Sequence, residues 1–296
     1  MRDSHNGRGR RGGGMNFDKF LRSMGPLVAA AAVGGIMAAA KKNGNFDFKW
    51  DEGDFNWGKD CGKGFGRGFG PGFATGFGGD GVPLDELDMG GDSPTQLVLA
   101  GADQVIVTEG DDFAIAVQGD DDAKDTLRFR LDDDGALHIA SGNSSHGGEG
   151  IATINITMPA PEKVTIAGAG EVALSSLADD AEVKVAGSGQ ISVLDLDIEE
   201  LDVTIAGAGR FTAGGKAERL NISVAGAGKA EMSGLLVDIA DVDLAGAGNA
   251  TFACDGEVNA DIVGAGHVTV RGSAKCRVHS MGSGYLVCEP REDKAA

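Results

Sequence analysis

Large aromatic residues are scarce in this chain, which has one tyrosine and two tryptophans among 296 residues. Seven of the thirteen phenylalanines and both tryptophans lie between Asn43 and Asp92, whereas residues 160–296 contain only Phe211, Phe252 and Tyr285. With fifty glycines in addition, this composition argues against an ordinary globular core. A core of Val, Ile, Leu and Ala instead favours a thin, flattened coil.

Basic residues are also few, with 26 Lys and Arg against 45 Asp and Glu, for a net charge of −19. Residues 1–42 carry eight basic and two acidic residues, so the remainder has a net charge of −19 − 6 = −25. An acidic body repels nucleic-acid phosphates and offers no basic groove. The composition therefore excludes a nucleic acid as the expected partner.

Long apolar runs are absent except near the start, where residues 24–40 (MGPLVAAAAVGGIMAAA) carry no charge. Lys19 and Arg22 precede this run and two lysines follow it, as in a secretory signal. The run is short and rich in Ala and Gly, so it is marginal as a permanent span. We expect export to the periplasm or cell surface, with the run either cleaved or retained as a membrane anchor; the alternative is a cytoplasmic Ala-rich helix.

Cysteines are few as well, and Cys61, Cys254, Cys276 and Cys288 form no CxxC pair, which leaves the redox compartment open. A metal site at Cys276, His279 and Cys288 is unlikely on alternation, which places both cysteines inward and His279 outward. Buried thiols or a disulfide are the prediction instead. The chain also lacks the P-loop, HExxH and GxSxG motifs, so we predict no catalytic residue, no metal and no cofactor.

A repeat dominates what is present. Gly-Ala-Gly or Gly-Ser-Gly occurs seven times at intervals of 18 to 20 residues, a period typical of solenoids, in which each coil buries its apolar face by stacking on its neighbours. The copies begin at Gly168, Gly187, Gly207, Gly226, Gly246, Gly264 and Gly282.

Apolar residues alternate with polar ones on both sides of each motif. Counted from its first glycine, positions −4, −2, +4 and +6 are mostly apolar, which predicts two short strands meeting at a glycine bend. A weaker apolar position at −6 suggests a short third side. The fold class is thus all-β: a single-stranded β-helix or solenoid of about seven coils of 18–20 residues, capped by an N-terminal β segment in which Gly101 marks a degenerate first copy.

These patterns divide the chain into four parts. Residues 1–42 are a basic leader, 43–92 a Gly/Phe-rich low-complexity linker, 93–290 the solenoid domain and 291–296 a charged tail.

Three segments together with the repeats carry a family resemblance: residues 104–119 (QVIVTEGDDFAIAVQG), 134–139 (DGALHI) and 157–170 (TMPAPEKVTIAGAG). With them, the chain resembles the putative auto-transporter adhesin family, head GIN domain, over about residues 95–289. The resemblance implies a right-handed β-helix in exported bacterial proteins, with adhesion as the family's label. It implies no catalytic residues.

Position +3 of the repeats supplies the candidate site. Stacked coils would bring its long side chains into one line on the outside, which predicts a binding strip for a surface glycan or a protein; ordinary solvation of an outer face is the alternative. We call this line the outward stripe: Glu171, Gln190, Arg210, Lys229, Asn249, His267 and Tyr285.

The sequence therefore favours an exported, non-enzymatic β-solenoid that presents a surface for adhesion or assembly. The first alternative is a membrane-tethered envelope sensor or assembly factor that retains residues 24–40. A polysaccharide-active β-helix enzyme is the third hypothesis; its weakness is that nearly constant coil lengths leave no loops to build a cleft.

Overall fold

The computed structural model describes residues 81–141 and 151–290, together with the backbone of two strands between residues 37 and 50. Most of the predicted leader and linker and the tail 291–296 therefore lie outside the described residues, as does residues 24–36 of the predicted signal run. The two early strands, β1 (Met37–Lys42) and β2 (Asn45–Trp50), pair antiparallel in a sheet of their own.

The remaining elements are almost all strands. A 3-10 helix, η1, spans Leu84–Glu86, and a short helix, α1, spans Asp121–Thr126. In chain order the strands are β3 (Gln96–Gly101), β4 (Gln104–Glu109), β5 (Ala114–Gln118), β6 (Leu127–Leu131), β7 (Ala136–Ser141), β8 (Thr153–Met158), β9 (Lys163–Gly168), β10 (Glu171–Leu174), β11 (Asp180–Gly187), β12 (Gln190–Gly207), β13 (Arg210–Gly226), β14 (Lys229–Gly246), β15 (Asn249–Gly264), β16 (His267–Arg271), β17 (Lys275–Gly282) and β18 (Tyr285–Glu289).

The solenoid forms by parallel pairing of each coil with the next, at a strand spacing of about 4.8 Å. The first glycine of every motif pairs in register with that of the following coil, from Gly168 through to Gly282. Gly101 pairs with Gly168 in the same column, so it is the corner of a further coil. The predicted solenoid of about seven coils is confirmed.

The core is a stack of inward side chains from the predicted ladders. At position −4, the six residues from Val164 to Ala260 are all 3% exposed or less. Phe211 and Phe252 are fully buried after the corner, where smaller residues in neighbouring coils leave room for a ring. The coils also have the expected short third side, in which Leu196–Ile198, Gly215–Ala217 and Leu235–Val237 lie side by side.

The N-terminal end is closed by antiparallel strands. Beyond the coil of β3 and β4 lies one more layer, in which β7 pairs parallel with β3 and β8 with β4. Strand β6 then pairs antiparallel with β7, and β5 with β8. The nearly buried carboxylate of Asp103 accepts hydrogen bonds from the Ser141 hydroxyl and the Ala152 amide, which ties this layer to the corner.

Glycine is required at the corner by conformation and by contact. Gly226 has φ of 113°, in the left-handed region that residues with a side chain avoid. A Cβ at Gly226 would lie 2.5 Å from the carbonyl oxygen of Gly207 in the preceding coil. The same oxygen accepts a hydrogen bond of 2.8 Å from the Ala227 amide, so the backbone cannot move away without breaking the column.

We expect Gly226→Ala to lower the free energy of unfolding by about 2–4 kcal/mol, because it adds an unfavourable φ and a backbone clash. Urea titration followed by circular dichroism measures the change. The matched control is Ala227→Ser at the exposed next position, where Ser188 and Ser283 occur in other coils. Equal midpoints for Gly226→Ala and wild type would contradict a close-packed corner.

Candidate binding surface

The structure brings all seven residues of the outward stripe together. Each pairs in register with the next, from Glu171 to Tyr285, so their side chains stand about one strand spacing apart along the outer face. All are partly or fully exposed. The spatial basis of the predicted strip is therefore present, whereas its binding role stays a prediction.

Sequence reasoning missed two residues that extend the stripe towards the N-terminal cap. Gln104 pairs with Glu171, and Thr153 pairs with Gln104. The signal for Gln104 was available, because it stands three residues after the degenerate corner Gly101. Thr153 carried no such signal, since β8 follows no glycine motif of its own.

The C-terminal part of the stripe is aromatic. The rings of His267 and Tyr285 stack with centroids 5.4 Å apart and an interplanar angle of 9°. Tyr285 is 53% exposed. Asn249 continues the line, and Thr251 and Thr269 stand on the same face two residues further along their strands. The middle of the stripe is polar, with Arg210 forming an ion pair with Glu231 in the next coil.

A second outer line, at position −3, concentrates negative charge. Asp243 pairs in register with Asp261, and Asp241 lies on the same face. Partial burial, together with the neighbouring charges of Asp261 and Asp241, raises the pKa of Asp243 to about 6. This acidic line therefore gains a proton as the pH falls through the range from 7 to 5.

The described residues form no deep cleft at the largest surface depression. This depression has a volume of about 170 Å³ and lies at the corner that precedes the stripe-free face, among Glu199, Glu200, Glu218 and Arg219. Ligand pockets usually have volumes of roughly 300–1,000 Å³. Arg219 and Glu200 also form an ion pair of 3.4 Å across it, which leaves no free carboxylate pair arranged around a substrate.

The cysteines divide as one of the two predicted alternatives required. Cys276 and Cys288 form a disulfide within the last coil, and Cys254 is a free, buried thiol whose pKa is raised by burial. Cys61 lies outside the described residues. No group of three or more potential metal ligands occurs within the part of the chain that the structure describes.

Residues 93–274 match the family model described as putative auto-transporter adhesin, head GIN domain. The chain belongs to this family. The match covers eight coil corners' worth of the solenoid except the final one, and it includes the N-terminal cap. A comparison with curated protein sequences gives no match.

Solved structures show the same fold. A putative adhesin from Bacteroides fragilis has 18% identity and a TM-score of 0.59, over 67% of this chain and 93% of that one. A putative lipid binding protein from Parabacteroides distasonis has 17% identity and a TM-score of 0.51, over 66% and 93%. A putative adhesin from Parabacteroides merdae has 15% identity and a TM-score of 0.50, over 68% and 93%. Identities this low establish the architecture alone.

Among the described residues, no helix has the length and apolar character needed to cross a bilayer.

Asp243 gives a pH-dependent prediction. Its pKa is higher in the folded state, about 6, than the ordinary 3.8, so between these values the folded chain binds more protons than the unfolded chain. Stability is therefore greatest below about pH 4 and falls as the pH rises through 6.

We expect Asp243→Asn to raise the free energy of unfolding at pH 7.5 by about 1–2 kcal/mol, after allowance for partial exposure, and to change it little at pH 4. Urea titrations at both pH values measure this difference. Asp111→Asn, at an exposed carboxyl in the β4–β5 turn, is the control and should show no gain. A gain at pH 4 equal to that at pH 7.5 would refute the assignment.

Proposed function

We propose that this protein is an exported, non-enzymatic adhesin that binds a surface glycan through the outward stripe. The observation that carries the proposal is the stacked, exposed pair of His267 and Tyr285 at one end of a line of polar side chains. The proposal also draws on membership of an adhesin-named family.

The chemistry of the aromatic end suits a sugar ring. One face of the Tyr285 ring stacks on His267, and the ring is 53% exposed. The apolar C–H face of a pyranose can pack against such a ring by dispersion and burial of apolar surface. Asn249, Thr251 and Thr269 offer amide and hydroxyl groups that can donate to and accept from sugar hydroxyls on the same flat face.

The spacing of the stripe favours a polymer over a small molecule. Side chains repeat about every 4.8 Å from one coil to the next, and no pocket encloses them. A chain of sugars lying along the face could contact several coils at once, so many weak contacts would add together. This is binding by avidity, which is what attachment to a cell surface requires.

Two features favour binding without turnover. Coil length stays between 18 and 20 residues, so no long loop rises beside the stripe to form walls. The stripe itself has one carboxylate, Glu171, at the end opposite to the aromatic pair. Glycoside hydrolysis ordinarily needs two carboxyl groups about 5–10 Å apart.

Export is supported by the Cys276–Cys288 disulfide, because such bonds persist mainly in oxidising compartments. Cell fractionation with N-terminal sequencing tests this part of the proposal. A mature chain beginning after residue 40 in the periplasm or on the surface supports cleavage. Recovery with the membrane and an intact run 24–40 supports the tethered envelope protein instead.

The binding test uses the full-length protein on an array of bacterial and host glycans. We expect retention of at least one polymer class, and we expect Tyr285→Ala and His267→Ala each to weaken retention about tenfold through loss of the ring contact. Lys216→Ala, on the third side of the solenoid, is the control and should bind like wild type. Retention unchanged in both ring variants would contradict the assigned site, and shortened polymers after incubation would show an enzyme.

A further inference from the structure

The two ends of the solenoid differ. At the N-terminal end, β5 and β6 cover the last parallel layer, and Val82 forms a bridge to Phe129 on the outer edge of β6. At the other end, β17 pairs only with β15, and β18 only with β16. Within residues 81–290, no strand covers the outer edge of this terminal coil, which comprises residues 275–289.

The terminal coil also exposes apolar side chains. Val278 is 52% exposed, whereas its counterparts in the six preceding coils are 3% exposed or less. At the outward corner position −1, five coils carry alanine, but the last two carry Val263 and Met281, which are 38% and 49% exposed. The incomplete stack explains Val278. It does not explain the larger outward residues, which enlarge the apolar surface where an alanine would suffice.

The charge of this end is opposite to that of the body. Residues 262–288 contain no acidic residue and three basic ones, Arg271, Lys275 and Arg277, in a chain whose net charge is −19. The side chain of Arg277 is 71% exposed and lies 3.6 Å from Glu257 of the preceding coil. An approaching acidic group would therefore meet exposed positive charge at this end and repulsion along the rest of the solenoid.

The free backbone edge decides between kinds of partner. Unpaired amide and carbonyl groups oppose insertion into lipid, which offers them no hydrogen bonds, whereas an extended polypeptide satisfies them directly. A second copy placed end to end would oppose Lys275 and Arg277 to their own counterparts. The end is also small: with sides of about five residues, roughly 15 Å each, it offers far less than the roughly 800 Å² per partner of a stable protein interface.

We propose that the terminal coil binds an extended, acidic segment of a partner protein, which adds to β17 or β18 as a further strand. Backbone hydrogen bonds to the free edge would provide affinity, and alternate side chains of the segment would contact Val278, Met281 and the basic residues. The N-terminal cap shows that a coil of this solenoid accepts an added strand, since β6 pairs with β7 in this way.

The disulfide has a defined part in this proposal. The terminal coil has Ser280 at the inward position −2, where six preceding coils have Ile, Val or Leu, so its core is weak. The Cys276–Cys288 bond joins β17 to β18 and holds both strands in place despite that loss. Reduction should let the coil fray and should weaken strand addition, whereas the buried thiol of Cys254 takes no part.

The experiment uses the full-length, oxidised protein and a fluorescein-labelled peptide of four Val-Glu repeats with blocked ends. We expect saturable binding by fluorescence anisotropy, with slower hydrogen exchange of the β17 or β18 amides in the complex. The double variant Lys275→Glu/Arg277→Glu should weaken binding at least tenfold through charge reversal. Lys216→Glu, the matched control on the third side, should leave it unchanged, and a Val-Lys peptide should not bind.

Absence of binding up to 1 mM peptide, taken as roughly the weakest affinity of interest, would overturn the proposal. So would equal binding by the charge-reversed and wild-type proteins, or protection confined to other strands. Amides of β17 and β18 that are already protected in a dimer would identify a second copy as the occupant and would also overturn it. Glycan retention depends on His267, not on Arg277, so failure of either proposal leaves the other distinguishable.

Discussion

The structure depends on close backbone contact between successive corners. Each corner glycine pairs with the glycine of the next coil, and a Cβ there would lie 2.3 to 2.5 Å from the preceding carbonyl oxygen at every motif from Gly168 to Gly282. Because this contact fixes the position of one coil on the next, it also fixes the register of both flanking strands. Inward ladders then fill the core, and outward ladders form lines of side chains on the surface.

The same constraint shapes what the protein can do. Coils held in strict register have flat outer faces and leave little space for a pocket, so chemistry that needs an enclosed site has no place to develop. A flat face with one side chain per strand is suited to long partners that also repeat. Surface polymers meet this condition, and so do extended polypeptides at an end of the stack, where the backbone edge itself becomes available.

Much of this architecture follows from the sequence because a repeat multiplies weak signals. One Gly-Ala-Gly motif indicates little, but seven at nearly constant spacing align the apolar positions beside them, and the same alignment identifies the residues from Glu171 to Tyr285 as one line. Inward positions −6 and +6 likewise place Cys276 and Cys288 in a single coil, although spacing alone did not choose between free thiols and a disulfide.

Other features could not be predicted because they arise outside the repeat or from contacts between coils. Strands β7 and β8 form a layer beyond β3 and β4 although they follow them in the chain, an order that no periodicity encodes. The raised pKa of Asp243 depends on burial and on Asp261 in the next coil, and both require the register to be known. The uncovered terminal coil is visible only once strand pairing shows which edges lack a partner.

An experimental crystal structure of the full-length protein tests the central claim most directly, which is that one unbroken column of corner glycines aligns the whole surface. The account predicts Gly101 and the seven motif glycines in a single column at about 4.8 Å spacing, with the outward stripe straight beside it. A column interrupted by a helix, a skipped coil or a shifted register would separate the stripe residues and contradict the account.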